Sequence, residues 1–140
     1  MNVLFDTNAV IALIVSDHKD HSVANKAYQN LTSQKADLYI SAHTILELYS
    51  TLTKKGIKFF QFSPNLASDI IENEVLKLFS VVEMGLDDYL NTLYNAVEHS
   101  VLSANIYDAF IVQAQKKADC EFIVTFNVKH FDKLARIYKN

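Results

Sequence analysis

The sequence predicts an α/β fold with a mostly parallel central sheet. Short apolar runs of strand length alternate along the chain with longer stretches whose apolar residues recur at helical spacing. Half of the 140 residues are apolar, and only two glycines and one proline interrupt them. A chain of this length and composition can bury a core of its own. We therefore expect a single domain over residues 1–140, without a flexible linker.

Four apolar runs have the length of buried strands. Each is short and mostly apolar, as expected for strands that are covered on both faces of a parallel sheet. They cover residues 2–5, 38–41, 79–84 and 121–126. The tail, residues 131–140, is expected to add a short helical turn and an edge strand.

The intervening stretches carry apolar residues at helical spacing. Ser63-Pro64 is the clearest start signal, because serine caps a helix and proline suits its first turn. Ser22 is expected to cap the second helix, and Gly56 to end the third. The predicted helices run over about 7–15, from Ser22, over 42–54, from Pro64 to about Leu78, over 86–97 and over 106–117.

Charge and cysteine content narrow the class of protein. A formal net charge of −3 argues against a binder that relies on a basic face. It does not exclude an enzyme acting on nucleic acid, since acidic metal ligands lower the total. Cys120 is the only cysteine, so no internal disulfide can form, and we interpret it as a packed thiol. With no signal peptide and no apolar segment long enough for a bilayer, a cytoplasmic protein without membrane association is expected.

Polar side chains cluster where predicted strands end. Asp6 ends the first strand, Glu47 lies in the helix after the second, and Asp108 lies in the helix before the last. Thr125 and Asn127 follow the last strand. In such sheets ligands bind beyond the carboxyl ends of the strands. Carboxylates gathered there repel one another unless a cation lies between them, and oxygen ligands of this kind suit Mg²⁺ or Mn²⁺.

Each acid alone has an ordinary structural explanation. Asp6 could cap the helix that follows it, and Asp108 could complement the dipole of its helix. Glu47 could lie on an exposed helical stripe. The three together at one edge of one sheet are less easily explained in this way.

Four segments carry a family resemblance, in order and over nearly the whole chain. They are VLFDTNAVIAL (3–13), SAHTILELYSTL (41–52), IYDAFIVQAQ (106–115) and ADCEFIVTFNVKHF (118–131). Together they resemble the PIN-domain family, and within it the VapC-type toxin ribonucleases of type II toxin–antitoxin systems. The resemblance implies a PIN-like three-layer α/β/α sandwich and Mg²⁺-dependent cleavage of RNA. It makes Asp6, Glu47 and Asp108 the catalytic residues and the metal ligands.

The resemblance also assigns supporting roles. Thr125 would hydrogen-bond Asp6 or a bound water, with Asn8 in a similar role near the rim. Asn127 departs from the pattern, because many family members carry aspartate there. One carboxylate fewer favours a single well-held Mg²⁺, with Mn²⁺ as a possible substitute, over a two-metal site.

The expected partners are an RNA substrate, a cognate antitoxin and a second copy of the chain. Lys129, His130 and Lys133 are the candidate RNA contacts, although for His130 a supporting or structural role is the preferred interpretation. His18 and His21 are interpreted as solvated residues of a polar turn. The apolar stretch 57–62 could serve a partner, but core is its simpler assignment.

Two other functions remain open at this stage. A catalytically weak PIN-like module that binds RNA or protein would explain the missing fourth acid. A metal-dependent phosphohydrolase of small molecules also needs an acid after the first strand. Enzymes of the haloacid-dehalogenase type usually carry a second aspartate two residues later, where this chain has Asn8.

Overall fold

The computed structural model describes residues 1–55, 61–131 and 134–139, which build a four-stranded, all-parallel sheet. Its strands lie in the order β3-β2-β1-β4. They are β1 (Asn2–Phe5), β2 (Asp37–Ser41), β3 (Ser80–Val82) and β4 (Phe122–Val124). The predicted edge strand in the tail is reduced to one parallel bridge between Ile137 and Ile123.

Eight α-helical segments surround this sheet in the described parts of the chain. A π-helical turn, Ile71–Val75, joins the fourth and fifth into the single stripe that the sequence predicts. The helices are α1 (Thr7–Ile14), α2 (His21–Ser33), α3 (Ala42–Leu52), α4 (Pro64–Ile70), α5 (Leu76–Leu78), α6 (Leu86–Glu98), α7 (Ile106–Lys117) and α8 (Val128–Phe131).

The sheet is buried on both faces, which makes the fold a three-layer α/β/α sandwich as predicted. Alternate residues of β1 enter different cores, since side chains in a strand point to opposite faces in turn. Val3 and Phe5 pack in the core formed with α1 to α4. Leu4 packs in the second core with Ile111 and Val112 of α7. The apolar character of the strands follows from this double coverage.

Two predicted helix starts have different outcomes. Ser63 caps α4 as expected, because its hydroxyl accepts a hydrogen bond from the Leu66 amide at 3.2 Å. Ser22 as a cap is wrong: α2 begins at His21, since the Ala24 amide already donates to the Asp20 carbonyl at 2.9 Å. Gly56, the predicted end of the third helix, lies outside the described residues.

Two predicted strands are longer than the observed ones. The Phe79 amide donates to the Val75 carbonyl at 3.1 Å, so this residue still belongs to the preceding helical turn. Thr125 has left the sheet, and its hydroxyl takes part in the network described below. In both cases a local hydrogen bond holds the residue outside the strand that the sequence pattern predicted.

The helix α6 presents its apolar stripe to solvent rather than to the core. Its buried residues are Asp88, Thr92 and Ala96. Asp88 accepts a 2.6 Å hydrogen bond from Lys117 of α7, which holds the pKa of this carboxyl below its usual range. The exposed apolar side chains of α6 include Leu86, Leu90, Leu93, Tyr94 and Val97. The apolar spacing correctly predicts the helix, but the inward face is a polar one that binds α7.

Two further expectations concern the only cysteine and membrane-spanning helices. Cys120 is buried, and burial raises the pKa of its thiol to about 12, which fits a packed thiol and not a nucleophile. Among the described residues, no helix is both long enough and apolar enough to cross a membrane.

Candidate functional site

The parallel sheet brings three acidic side chains to the edge formed by the carboxyl ends of its strands. Asp6 follows β1 directly, and its amide donates to the Val124 carbonyl of β4 at 3.0 Å. Glu47 comes from α3, which begins where β2 ends, and Asp108 comes from the first turn of α7.

These side chains line one open cleft of about 300 Å³. Acidic, hydroxyl, amide and imidazole groups face it, and Ile11 supplies an apolar wall. The residues lining the cleft are Asp6, Thr7, Asn8, Ile11, His18, Glu47, Thr51, Asp108 and Asn127. The cleft therefore contains the three predicted acids together with Asn8 and Asn127.

Asp6 is the most constrained of the acids, with only 6% of its surface exposed. Its Oδ1 accepts a hydrogen bond from the Thr7 amide at 2.7 Å, and its Oδ2 accepts one from the Thr125 hydroxyl at 2.9 Å. Burial nevertheless raises the pKa of Asp6 to about 6, and the charges of Asp108 and Glu47 add to this shift. Asp6 is also the N-cap of α1, so its role as a helix cap is compatible with its place in the cleft.

Glu47 is tied to the start of α1 through hydroxyl groups. The Thr7 hydroxyl lies 3.1 Å from Glu47 Oε1 and 3.1 Å from the Thr44 hydroxyl. Since an ionised carboxylate can only accept, Thr7 donates to Glu47 and accepts from Thr44. Neither threonine was singled out from the sequence. The available signal was the position of Thr44, three residues before Glu47 on the same helical face.

Asp108 is held by a histidine from the short helix α8. His130 Nδ1 lies 2.9 Å from Asp108 Oδ2, and because the carboxylate accepts, Nδ1 carries the proton. Burial raises the pKa of Asp108, while His130 acts in the opposite direction. His130 therefore supports an acid of the cleft and does not itself line it.

The loop after β4 is built around Thr125. Its hydroxyl donates to Asp6 and accepts from the Asn127 amide at 3.0 Å. Asn8 Oδ1 accepts from the Phe126 amide at 3.2 Å, which fastens the same loop to α1. The backbone of Asn127 thus helps to orient Thr125, while its exposed side chain remains in the cleft.

The other lysines and histidines considered from the sequence have different positions. Lys129 and His130 line a neighbouring pocket, and Lys133 lies outside the described residues. His18, interpreted from sequence as solvated, lines the acidic cleft, and its Nδ1 accepts from the Asp20 amide at 3.1 Å. His21 Nδ1 donates to the Ala12 carbonyl at 2.9 Å, so this histidine ties two segments together.

The oxygen atoms that face the cleft are of the kind that Mg²⁺ and Mn²⁺ take as ligands in proteins. The described residues contain no group of three or more His, Cys, Asp or Glu side chains already close enough to hold an ion. Mg²⁺, however, usually keeps several waters and binds through one or two carboxylates together with substrate phosphate. Asp6, a buried carboxylate whose ionisation is opposed by burial and by its neighbours, gains most from a cation there.

Comparisons with known proteins find solved structures of similar fold. VapC20 of Mycobacterium tuberculosis, a toxin that cleaves the sarcin–ricin loop, is similar in structure, with a TM-score of 0.75, 16% identity and 99% of both chains covered. VapBC2 of Rickettsia felis, solved with a promoter DNA fragment, gives a TM-score of 0.69 at 16% identity, covering 99% of this chain and 98% of that one. VapBC-1 of nontypeable Haemophilus influenzae gives a TM-score of 0.69 at 18% identity, covering 99% of this chain and 98% of that one.

At these identities the likeness establishes the fold alone. Comparison with curated proteins gives no significant match. The family model of the PIN domain matches residues 3–137, which includes every acid of the cleft. The chain belongs to the PIN-domain family.

Proposed function

We propose that this chain is a metal-dependent endoribonuclease that hydrolyses RNA phosphodiester bonds, and that it is the toxin of a toxin–antitoxin pair. The observation that carries the proposal is the convergence of Asp6, Glu47 and Asp108 on one open cleft, with the charge of Asp6 buried. Membership of the PIN-domain family and the fold shared with an RNA-cleaving toxin support it.

The three carboxylates would hold one Mg²⁺, or Mn²⁺ in its place. A divalent cation bound there polarises a phosphate and lowers the pKa of a water molecule. Thr7 and Thr125 fix Asp6 from two sides, so that its position does not depend on the ion. The hydrogen bonds of the described residues use Oε1 of Glu47 and Oδ2 of Asp108, which leaves Oε2 and Oδ1 for a cation or a water.

The charge of the cleft explains why a cation is required at all. A phosphate approaching three carboxylates is repelled, and a bound cation reverses the sign of that interaction. Asn127 adds an amide and no charge, which favours one ion over two. Lys129 and His130, together with Lys133, would contact the RNA backbone beyond the cleft.

The first test is cleavage of a structured RNA pool by the purified protein. With Mg²⁺ or Mn²⁺ we expect cleavage, and we expect Asp6→Asn and Asp108→Asn to abolish it because each removes a charged ligand. Gel or sequencing assays of the products provide the measurement. Asp37→Asn is the matched control, since this exposed acid lies at the start of β2, at the opposite edge of the sheet.

Cleavage that persists in both cleft variants, or in excess chelator, would contradict the assignment. No cleavage of any RNA by the wild type would favour the catalytically weak PIN-like module that binds RNA or protein. Expression of the wild type in bacteria should arrest growth, whereas expression of Asp108→Asn should not.

A graded test uses Thr125, which acts through Asp6. Thr125→Val keeps the shape of the side chain and removes the hydroxyl that donates to Asp6 Oδ2. Loss of a group that orients a metal ligand typically costs about 10–100-fold in metal affinity or activity. We expect a loss of that size in kcat/KM, with part of it recovered at high Mn²⁺ concentration. Thr32→Val on the exposed face of α2 should behave as wild type, and equal rates for both variants would contradict the role of Thr125.

An antitoxin partner follows from the same proposal. Structures similar to this chain include VapBC complexes, some of them bound to DNA. Co-expression with a short protein encoded beside this chain should therefore restore growth and yield a stable complex, and growth arrest that such a protein does not relieve would contradict the pairing.

The solvent-facing apolar stripe of α6 supports a homodimer. Leu86, Leu93 and Val97 are 73%, 54% and 81% exposed, and adjoining exposed apolar residues of this kind mark interaction surfaces. We expect the double variant Leu93→Lys, Val97→Lys to be a monomer by light scattering at concentrations where the wild type is a dimer. Leu66→Lys on the exposed surface of α4 is the control, and an unchanged mass of the double variant would exclude this interface.

A further inference from the structure

A second pocket lies beside the acidic cleft. It has a volume of about 310 Å³ and is bounded by the connection between α6 and α7 on one side and by α8 on the other. This volume lies at the lower end of the usual range for ligand-binding pockets. We call it the flank pocket and define it by His99, Ser100, Val101, Leu102, Asn105, Lys129, His130 and Leu134.

His130 connects the flank pocket to the acidic cleft. Its Nδ1 donates to Asp108 Oδ2, while the ring lines the flank pocket. Asp108 in turn lines the acidic cleft. The hydrogen-bonded pair of His130 and Asp108 therefore links the two pockets, and the flank pocket lies on a path that a polymer can follow out of the cleft.

The chemistry of the flank pocket is opposite to that of the cleft. Lys129 brings a positive charge, and His99 and His130 bring imidazoles, whereas none of its described lining residues is acidic. This favours an anionic ligand. In an extended nucleic acid, the reacting phosphate has further phosphates on either side of it. One of these is the anion that we expect beside the cleft.

The other lining residues suit a nucleobase. Val101, Leu102 and Leu134 supply apolar surface for the face of a base, and Asn105 supplies an amide that can both donate and accept at its edge. Proteins read single-stranded RNA by such a combination of stacking and edge hydrogen bonds. The Asn105 side chain makes no capping hydrogen bond to α7, so the helix does not occupy its polar atoms in that way.

We propose that the flank pocket binds the nucleotide next to the scissile phosphate of the RNA and sets the base preference at that position. This rests on the proposed ribonuclease function and adds to it a specificity site that is separate from the three acids. Lys129 contacts the phosphate, and Asn105 reads the edge of the base.

The binding test uses a fluorescently labelled single-stranded RNA of random sequence, with Ca²⁺ in place of Mg²⁺ so that the cleft holds a cation. A gel of the recovered RNA checks that it is still intact. Fluorescence anisotropy gives the affinity at several salt concentrations. Lys129→Gln should weaken binding several-fold and lower the slope of log affinity against log salt by roughly one. Lys77→Gln makes the same charge change on α5, beside the opposite edge of the sheet, and should match the wild type.

The specificity test maps cleavage sites on a randomised RNA library with Mn²⁺. The wild type should favour one or two bases at a single position beside the cut, and Asn105→Ala should flatten or change that preference while the protein still cleaves. Unfolding temperatures within the error of the wild type establish that both variants are folded.

Two results overturn the proposal: Lys129→Gln binding RNA as Lys77→Gln does, or Asn105→Ala leaving the base preference unchanged. If Lys129→Gln or Asn105→Ala binds RNA as the wild type does but loses a protein that co-purifies with the wild type, the pocket belongs to a protein partner. This result also overturns the proposal. If the wild type binds RNA through this pocket but cleaves none, the proposed function fails and the RNA site stands. If the wild type cleaves RNA and neither substitution changes binding or base preference, the proposed function stands and the flank pocket is not the specificity site.

Discussion

The carboxylate of Asp6 is buried at the end of β1, an inner strand of the sheet, where its ionisation is opposed by burial and by two other acids. Its two oxygens accept hydrogen bonds from Thr7 and Thr125, and its pKa still lies at about 6. The fold therefore keeps a charge where it costs stability at neutral pH. A cost of this kind is common at functional sites, where pKa values are shifted for a task. In this chain the compensating partner would be a divalent cation.

The surroundings of Asp6 divide the polar surface into regions of opposite character. The cleft gathers Asp6, Glu47 and Asp108, whereas the flank pocket beside it carries Lys129 and no described acid. His130 belongs to both regions, through its ring in one and its hydrogen bond to Asp108 in the other. With a cation in the cleft, the cleft and the flank pocket would both attract a polyanion. A net charge of −3 is therefore compatible with RNA binding, because three of the carboxylates lie where a metal would bind.

Much of the fold and of the acidic cleft can be predicted from the sequence, for physical reasons. Strands buried on both faces must be apolar throughout, so their ends are visible, and parallel strands carry the residues after them to one edge. The partner Thr7 was not predictable, because a hydroxyl has no spacing signal of its own. Thr44 was marked only by its place one helical turn before Glu47. His18 was misjudged for a similar reason: a polar turn does not reveal which way it folds back. The apolar stripe of α6 predicted the helix but not its orientation, which the Asp88–Lys117 hydrogen bond to α7 helps to set.

The free energy of unfolding of the wild type and of Asp6→Asn, measured against pH without metal and again with Mn²⁺, tests the central claim most directly. Because folding raises the pKa of Asp6 from 3.8 to about 6, the stability penalty on the wild type grows as pH rises between these two values and levels off above the higher one at about 3 kcal/mol. We therefore predict that Asp6→Asn is the more stable protein at pH 7, that the difference vanishes as pH falls to about 4, and that Mn²⁺ stabilises only the wild type. Parallel pH profiles, or equal stabilisation of both proteins by Mn²⁺, would contradict the account.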